Sequence, residues 1–131
     1  MMKQISIKTT NRVELVDITP EVQKAVKEAG IGSGVCHVFV PHTTAGVTIN
    51  EGADPNVARD IENFLTRLVP HGAGFAHAEG NSDSHIKTVL TGSSETIFVE
   101  GGRLVLGTWQ AVYLCEYDGP RARKVLVKVR G

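Results

Sequence analysis

Thr96-Ile97-Phe98-Val99-Glu100-Gly101-Gly102-Arg103-Leu104-Val105-Leu106-Gly107-Thr108-Trp109-Gln110-Ala111-Val112-Tyr113-Leu114-Cys115 is the stretch that decides the fold class. Its β-branched, aliphatic and aromatic residues, broken at Gly101-Gly102, read as successive strands joined by turns. Two of these strands meet at Gly107–Gln110, which holds the only tryptophan of the chain. A glycine there lets a backbone or ligand approach closely. Thr108, Trp109 and Gln110 then present a hydroxyl, an indole N–H and a carboxamide. A strand needs none of the three for its own stability, whereas a pocket wall uses all of them.

Outward from this stretch the pattern stays strand-rich. Gln4–Lys8 and Arg12–Ile18 alternate polar and apolar residues around Thr9-Thr10-Asn11, which predicts a hairpin. Thr19-Pro20-Glu21 reads as a helix start, with Thr19 as N-cap, and Val22, Val26 and Ala29 share one face before Gly30 and Gly32. Val35–Val40 and Val47–Asn50 read as strands separated by the polar segment His42–Gly46. Asp54-Pro55 opens a second helix carrying Val57, Ile61, Phe64, Leu65 and Leu68 at helical spacing. Pro70 stops it. His71–Ser84 is a long Gly-, Ala- and His-rich segment of the kind that often carries function. Ser84 is placed to cap a short third helix, Ile86–Thr91, closed by Gly92. Strands Thr96–Glu100, Leu104–Leu106, Trp109–Tyr117 and Lys124–Val129 complete the chain. Helices and strands do not alternate regularly, so the class is α+β, and residues 1–131 form one domain.

Bulk properties exclude several functions. Fourteen basic residues balance fourteen acidic ones, so the formal net charge is zero. A nucleic-acid binder normally carries a net basic face, and no nucleic-acid partner is expected. The one basic cluster, Arg121, Arg123 and Lys124, reads as a solvated turn and strand edge rather than a phosphate clamp. Cys36 and Cys115 sit in apolar runs and read as buried free thiols. No secretion signal is apparent and no apolar stretch approaches the roughly 20 residues of a membrane span, so a cytoplasmic protein is the expectation.

The side chains able to carry chemistry cluster in two places. His42 emerges at a strand end after Pro41. His77 and His85 bracket the long loop, with Glu79 and Asp83 between them. His42, His77 and His85 are therefore candidate ligands of a Zn²⁺-type ion with an open fourth position. Alternatively they bind a substrate anion, serve as acid and base near neutral pH, or are ordinary loop histidines. Glu51 and Asp54 follow a strand directly at a helix start. Asp54 has a structural role as N-cap. Glu51 has no evident structural role and is the candidate to hold Mg²⁺ or take a proton. Thr43, Thr44 and Asn50 would add neutral hydrogen bonds. Lys87 and Arg103 are the candidate phosphate-binding cations.

The run Ser94-Glu95-Thr96-Ile97-Phe98-Val99-Glu100-Gly101-Gly102-Arg103-Leu104-Val105-Leu106-Gly107-Thr108-Trp109-Gln110-Ala111-Val112 resembles the signature of the YjbQ family, with its Gly-Thr-Trp-Gln unbroken. His42-Thr43-Thr44-Ala45, Asn50-Glu51, Asp54-Pro55 and Ser84-His85-Ile86-Lys87 are similar to that family too, so the resemblance spans essentially the whole chain. It implies a β-rich α+β subunit of roughly eight strands and two to three helices that assembles as a homotrimer. It also implies an accessory thiamine-phosphate synthase, which joins a hydroxymethylpyrimidine diphosphate to a thiazole phosphate and releases pyrophosphate. On that reading a divalent metal, Mg²⁺ or Zn²⁺, neutralises the leaving group, held by Glu51 and Asp54 with a histidine, while Lys87 or Arg103 assists. Trp109 walls the pyrimidine and Gln110 reads its nitrogens, unless Trp109 is simply core. The competing expectations are a metal-dependent hydrolase or lyase acting on another small phosphorylated or heterocyclic substrate, and a non-catalytic ligand-binding trimer.

Overall fold

The alternation read in the C-terminal half builds two antiparallel sheets. The computed structural model describes residues 2–131. In chain order the elements are β1 (Met2–Lys8), β2 (Glu14–Asp17), α1 (Thr19–Ala29), β3 (Ser33–Phe39), β4 (Ala45–Glu51), α2 (Pro55–Leu68), α3 (Ser82–Thr91), β5 (Ser94–Glu100), β6 (Arg103–Leu104), β7 (Gln110–Glu116) and β8 (Ala122–Arg130). The larger sheet has the order β1-β8-β3-β5-β6 and the smaller one β2-β7-β4. Among the described residues, no helix is long and apolar enough to cross a membrane.

β7 shows why the layers form. Val112 and Leu114 point into the main core, where they meet Val38, Val99 and Val127 of the large sheet and Val22 and Val26 of α1. Ala111, Tyr113, Cys115 and Tyr117 point the other way and pack with Leu15, Ala58 and Leu65. Both faces of this strand are thus buried, and its near-continuous apolar run follows from that. α2 covers the outer face of the small sheet only partly, because Phe64 and Leu68 at the end of its stripe remain exposed. On α1 the buried face is Val22, Ala25 and Val26 rather than one reaching Ala29.

The expected hairpin between the first two strands does not form. β1 pairs with β8, with Ile5 opposite Val125, whereas β2 pairs with β7, with Val16 opposite Leu114. Thr9-Thr10-Asn11 carries the chain from one sheet to the other instead of reversing it. Thr9 N–H donates to the Arg121 carbonyl and Thr10 N–H to the Glu14 carboxylate, so the segment is held by long-range and side-chain bonds. Nor does Thr19 cap α1. Asp17 accepts from Thr19 N–H at 2.9 Å, and the Thr19 hydroxyl accepts from Val112 N–H, tying the helix to β7. Asp54 does cap α2, accepting from Asn56 N–H at 2.9 Å. α3 begins earlier than expected, at Ser82 after Asn81.

Both cysteines are buried and free. Burial pushes their thiols up, to about 11 for Cys36 and about 12 for Cys115, which leaves them unreactive near neutral pH. Arg123 departs from the solvated edge expected for the basic cluster. It lies inside, paired with Glu116.

Candidate active site

β4 carries the two candidate clusters at its opposite ends. His42 and Thr43 precede it, and Asn50 and Glu51 end it. Its register against β7 is regular from Ala45–Glu116 to Glu51–Gln110, so the strand is fully extended. Seven residues at a strand's rise place its ends about 20 Å apart. Within one chain the two clusters are therefore separate sites.

At the first end, His42, Thr43, His85, Thr88, Val89, Gly92 and Ser93 line a concavity of about 410 Å³. α3 brings His85 there because its first turn is moored from several directions. Asp83 is fully buried and accepts from Arg12 Nη1 at 3.0 Å, from Arg12 Nη2 at 3.2 Å and from Lys87 Nζ at 3.1 Å. The Ser84 hydroxyl donates to the Tyr117 carbonyl, and Asn81 Nδ2 donates to Asp118 at 2.9 Å. The other end of α3 lies against β4, where a side chain on Gly46 would collide with the Gly92 carbonyl. Across the concavity, His42 Nε2 accepts a hydrogen bond from Lys124 N–H at 2.9 Å. Burial first, and then the positive charges of Arg123 and Lys124, hold its pKa below the ordinary histidine value against the opposing pull of Glu116.

Asp83 links this mooring to pH. Burial alone would raise its pKa, but the bonds and charges of Arg12 and Lys87 outweigh it and hold the carboxyl at about 2. The folded value lies below the unfolded one, so the stabilisation is complete above the unfolded pKa and is lost as pH falls towards the folded value. From this group alone, acidifying from pH 5 to pH 2 is expected to remove about 2 kcal/mol of stability. Urea titrations of wild type and Asp83→Asn at several pH values check it, since the variant should lose this part of the pH dependence.

The remaining histidines only partly converge. His77 stands edge-on to His85, ring centroids 5.5 Å apart, and its Nε2 lies 3.7 Å from Glu79. No three His, Cys, Asp or Glu side chains among the described residues are grouped so as to hold a metal ion. Within one chain, His42, His77 and His85 therefore do not form the expected three-histidine centre.

At the second end, Ile49, Asn50, Glu51, Trp109 and Gln110 line a smaller concavity of about 240 Å³. Gly107–Trp109 is a turn that leads into β7 at Gln110. Gln110 N–H donates to the Gly107 carbonyl, and Gln110 Oε1 accepts from Gly107 N–H at 2.8 Å. The turn lifts Trp109 off the sheet and leaves it 64% exposed, so it is not core filler. Glu51 has the structural role that its sequence did not reveal. Its carboxylate accepts from Ala53 N–H at 2.7 Å and Asp54 N–H at 3.3 Å, closing the turn into α2. Asn50 Oδ1 accepts from Glu51 N–H. Thr108 sits exposed in the turn.

Three expected site residues lie elsewhere or are occupied. Lys87 is fully buried against Asp83 and presents no charge to a ligand. The Thr44 hydroxyl is buried and accepts from Arg123 Nη2 at 2.9 Å. Arg103 lines a larger concavity, about 730 Å³, between α1 and the β5–β6 turn. That space offers Arg103 and Lys27 but no histidine or carboxylate, so it lacks an acid–base group although it is larger. Ser93, which borders His42 and His85, gave no sign in the sequence beyond its place after Gly92.

Comparison with known proteins gives one consistent result. The family described as "UPF0047 protein YjbQ-like" matches residues 3–131. A UPF0047 protein of Methanocaldococcus jannaschii is 51% identical over 100% of this chain and 95% of its own length. YugU of Bacillus subtilis, also a UPF0047 protein, is 47% identical over the whole of both chains. Among solved structures, an uncharacterised YjbQ/UPF0047 protein of Clostridium acetobutylicum superposes with a TM-score of 0.96 at 52% identity, covering 98% of this chain and 99% of the other. A protein of unknown function from Sulfolobus solfataricus gives 0.94 at 32% identity, covering 98% and 95%.

Proposed function

Because this chain belongs to the YjbQ-like UPF0047 family, we propose that it is an enzyme acting on a small phosphorylated substrate, as an accessory thiamine-phosphate synthase. The observation that carries this reading is the pairing of His42 and His85 across one concavity, bordered by hydroxyls. Two imidazoles facing one space suit proton transfer and phosphate recognition near neutral pH.

In the proposed reaction the C–O bond between the pyrimidine methylene and its diphosphate breaks, and the electron pair leaves with the diphosphate. The lone pair of the thiazole nitrogen forms the new C–N bond. Diphosphate enters as its magnesium salt. His85 protonates or hydrogen-bonds the departing oxygen, and Thr43 and Ser93 hold the phosphates. Trp109 supplies a π-face for the electron-poor pyrimidine methylene, and Asn50 and Gln110 hydrogen-bond the ring. As these residues stand at the far end of β4, they reach the histidines from a neighbouring subunit of a homotrimer. The exposed apolar side chains Trp109, Val89 and Leu90 at the two ends suit such burial.

Purified protein incubated with the pyrimidine diphosphate and thiazole phosphate, with and without added Mg²⁺ or Zn²⁺, is expected to form thiamine phosphate. Absence of product under every metal condition contradicts the synthase reading. The separation of the two ends of β4 favours one second reading, hydrolysis or elimination at the histidine concavity alone. Release of pyrophosphate from the pyrimidine diphosphate without thiazole phosphate would identify it, and binding without turnover would mark a ligand-binding protein. Light scattering is expected to give the mass of a trimer.

A further inference from the structure

We infer that His42 is a fixed, neutral hydrogen-bond donor, which presents its Nδ1–H to an acceptor oxygen of a phosphate-bearing ligand in the concavity it shares with His85. This rests on reading that concavity as the ligand site, and it assigns His42 a role different from that of His85.

The tautomer follows from the one hydrogen bond that the ring makes. Lys124 N–H is a backbone donor and has no lone pair to offer. It lies 2.9 Å from His42 Nε2, so Nε2 must be the bare nitrogen, and the ring proton of neutral His42 sits on Nδ1. Protonating the ring would set an Nε2–H against the Lys124 N–H. The surroundings act in the same direction. Arg123 and Lys124 of β8 place positive charge beside the ring, Glu116 of β7 is already paired with Arg123, and His85 of α3 faces it across the concavity.

Nδ1 makes no hydrogen bond among the described residues, and it is not among the buried polar atoms left without a partner. It is therefore accessible to solvent, on a residue that lines the concavity. The hydroxyls of Thr43 and Ser93, on the same lining, also make no hydrogen bond with the described residues. The lining thus offers unpaired donors to an acceptor-rich ligand, which is the chemistry of a phosphate oxygen. A neutral imidazole fixed by its other nitrogen cannot serve as general base through Nε2 or ligate a metal there without losing the Lys124 bond. It can only donate, so proton transfer is left to His85. Neutral histidines act as donors of this kind in other enzymes.

The test is a long-range ¹H–¹⁵N spectrum of imidazole-labelled wild-type protein, followed by titration with inorganic phosphate. His42 is expected to show a protonated Nδ1 and a bare Nε2 at neutral pH, to stay neutral below the ordinary histidine pKa of about 6.5, and to shift at Nδ1 together with His85 as phosphate binds. His42→Ala is expected to weaken phosphate binding about tenfold. His42→Asn, which keeps an N–H donor near the Nδ1 position, should stay within about threefold of wild type. An Nε2–H tautomer with phosphate still moving His85 would overturn the donor role alone, as would equal losses in the two variants. Phosphate that moves neither histidine would overturn the concavity as the ligand site, and the donor role with it.

Discussion

Arg123→Met is expected to lower the unfolding free energy by about 3–5 kcal/mol, the usual cost of stranding one partner of a buried ion pair. Glu116 is 0% exposed and Arg123 4%. Arg123 Nε donates to Glu116 at 2.8 Å and its Nη2 to the same carboxylate, while Thr9 Oγ1 and Asp118 N–H occupy the remaining acceptor positions. Burial pushes the Glu116 pKa up, but Arg123 and these donors hold it below the ordinary value. Its stabilisation is therefore present at neutral pH and lost as pH falls. Without Arg123, burial dominates and the folded pKa rises above the unfolded one. The sign then reverses, and this group's contribution is lost as pH rises through the raised folded value. Urea midpoints at pH 5 and pH 8 check both parts. The double variant Arg123→Met with Glu116→Gln should recover much of the loss, because no charge is left buried and unpaired. An Arg123→Met protein as stable as wild type at pH 8 would show that the pair is not closed in solution.

His85→Ala is expected to slow thiamine-phosphate formation by a factor of about 10²–10⁴, the range for losing a positioned acid–base group. Its effect on stability should be small, because the His85 side chain is half-buried and forms no hydrogen bond among the described residues. Asp83, Ser84, Lys87 and Asn81 moor α3 without it. Loss of activity with an unchanged unfolding midpoint separates a role in the reaction from one in the fold. His77→Ala is the companion. It stands beside His85 but does not line the concavity, so its effect should be much smaller. Equal losses in both variants would move the reacting centre to the His71–Gly80 loop.

Local features were readable in the sequence and partner choice was not. Asp54-Pro55 announced a capped helix because cap and proline act within four residues. The strands of the C-terminal half announced themselves by their apolar runs. The pairing of β1 with β8 and of β2 with β7 depends on residues more than ninety positions apart, and the local pattern carries no signal for it. Glu51 looked free because its bonds go to backbone N–H groups, which any residue supplies. Lys87 looked like a phosphate cation because the carboxylate it faces, Asp83, is buried by a fold that also brings Arg12 from 71 positions away. No local motif marks Glu116. It did leave one trace, a charge within Ala111–Tyr117, a run buried on both faces, and such a charge requires a buried partner. The local pattern at Trp109 fits either core or surface, and the turn before β7 is what leaves it exposed.

The proposed ligand chemistry belongs to the concavity of His42 and His85, not to the larger space beside Arg103 or to the Trp109 turn. Titration of ¹⁵N-labelled protein with inorganic pyrophosphate, followed by backbone and imidazole shifts, tests it most directly. Thr43, His85 and Ser93 are expected to shift first and saturate together, with Lys27, Gly102 and Arg103 unmoved at those concentrations. Saturating shifts confined to Gly101–Arg103 and Lys27, with His42 and His85 silent, would contradict it.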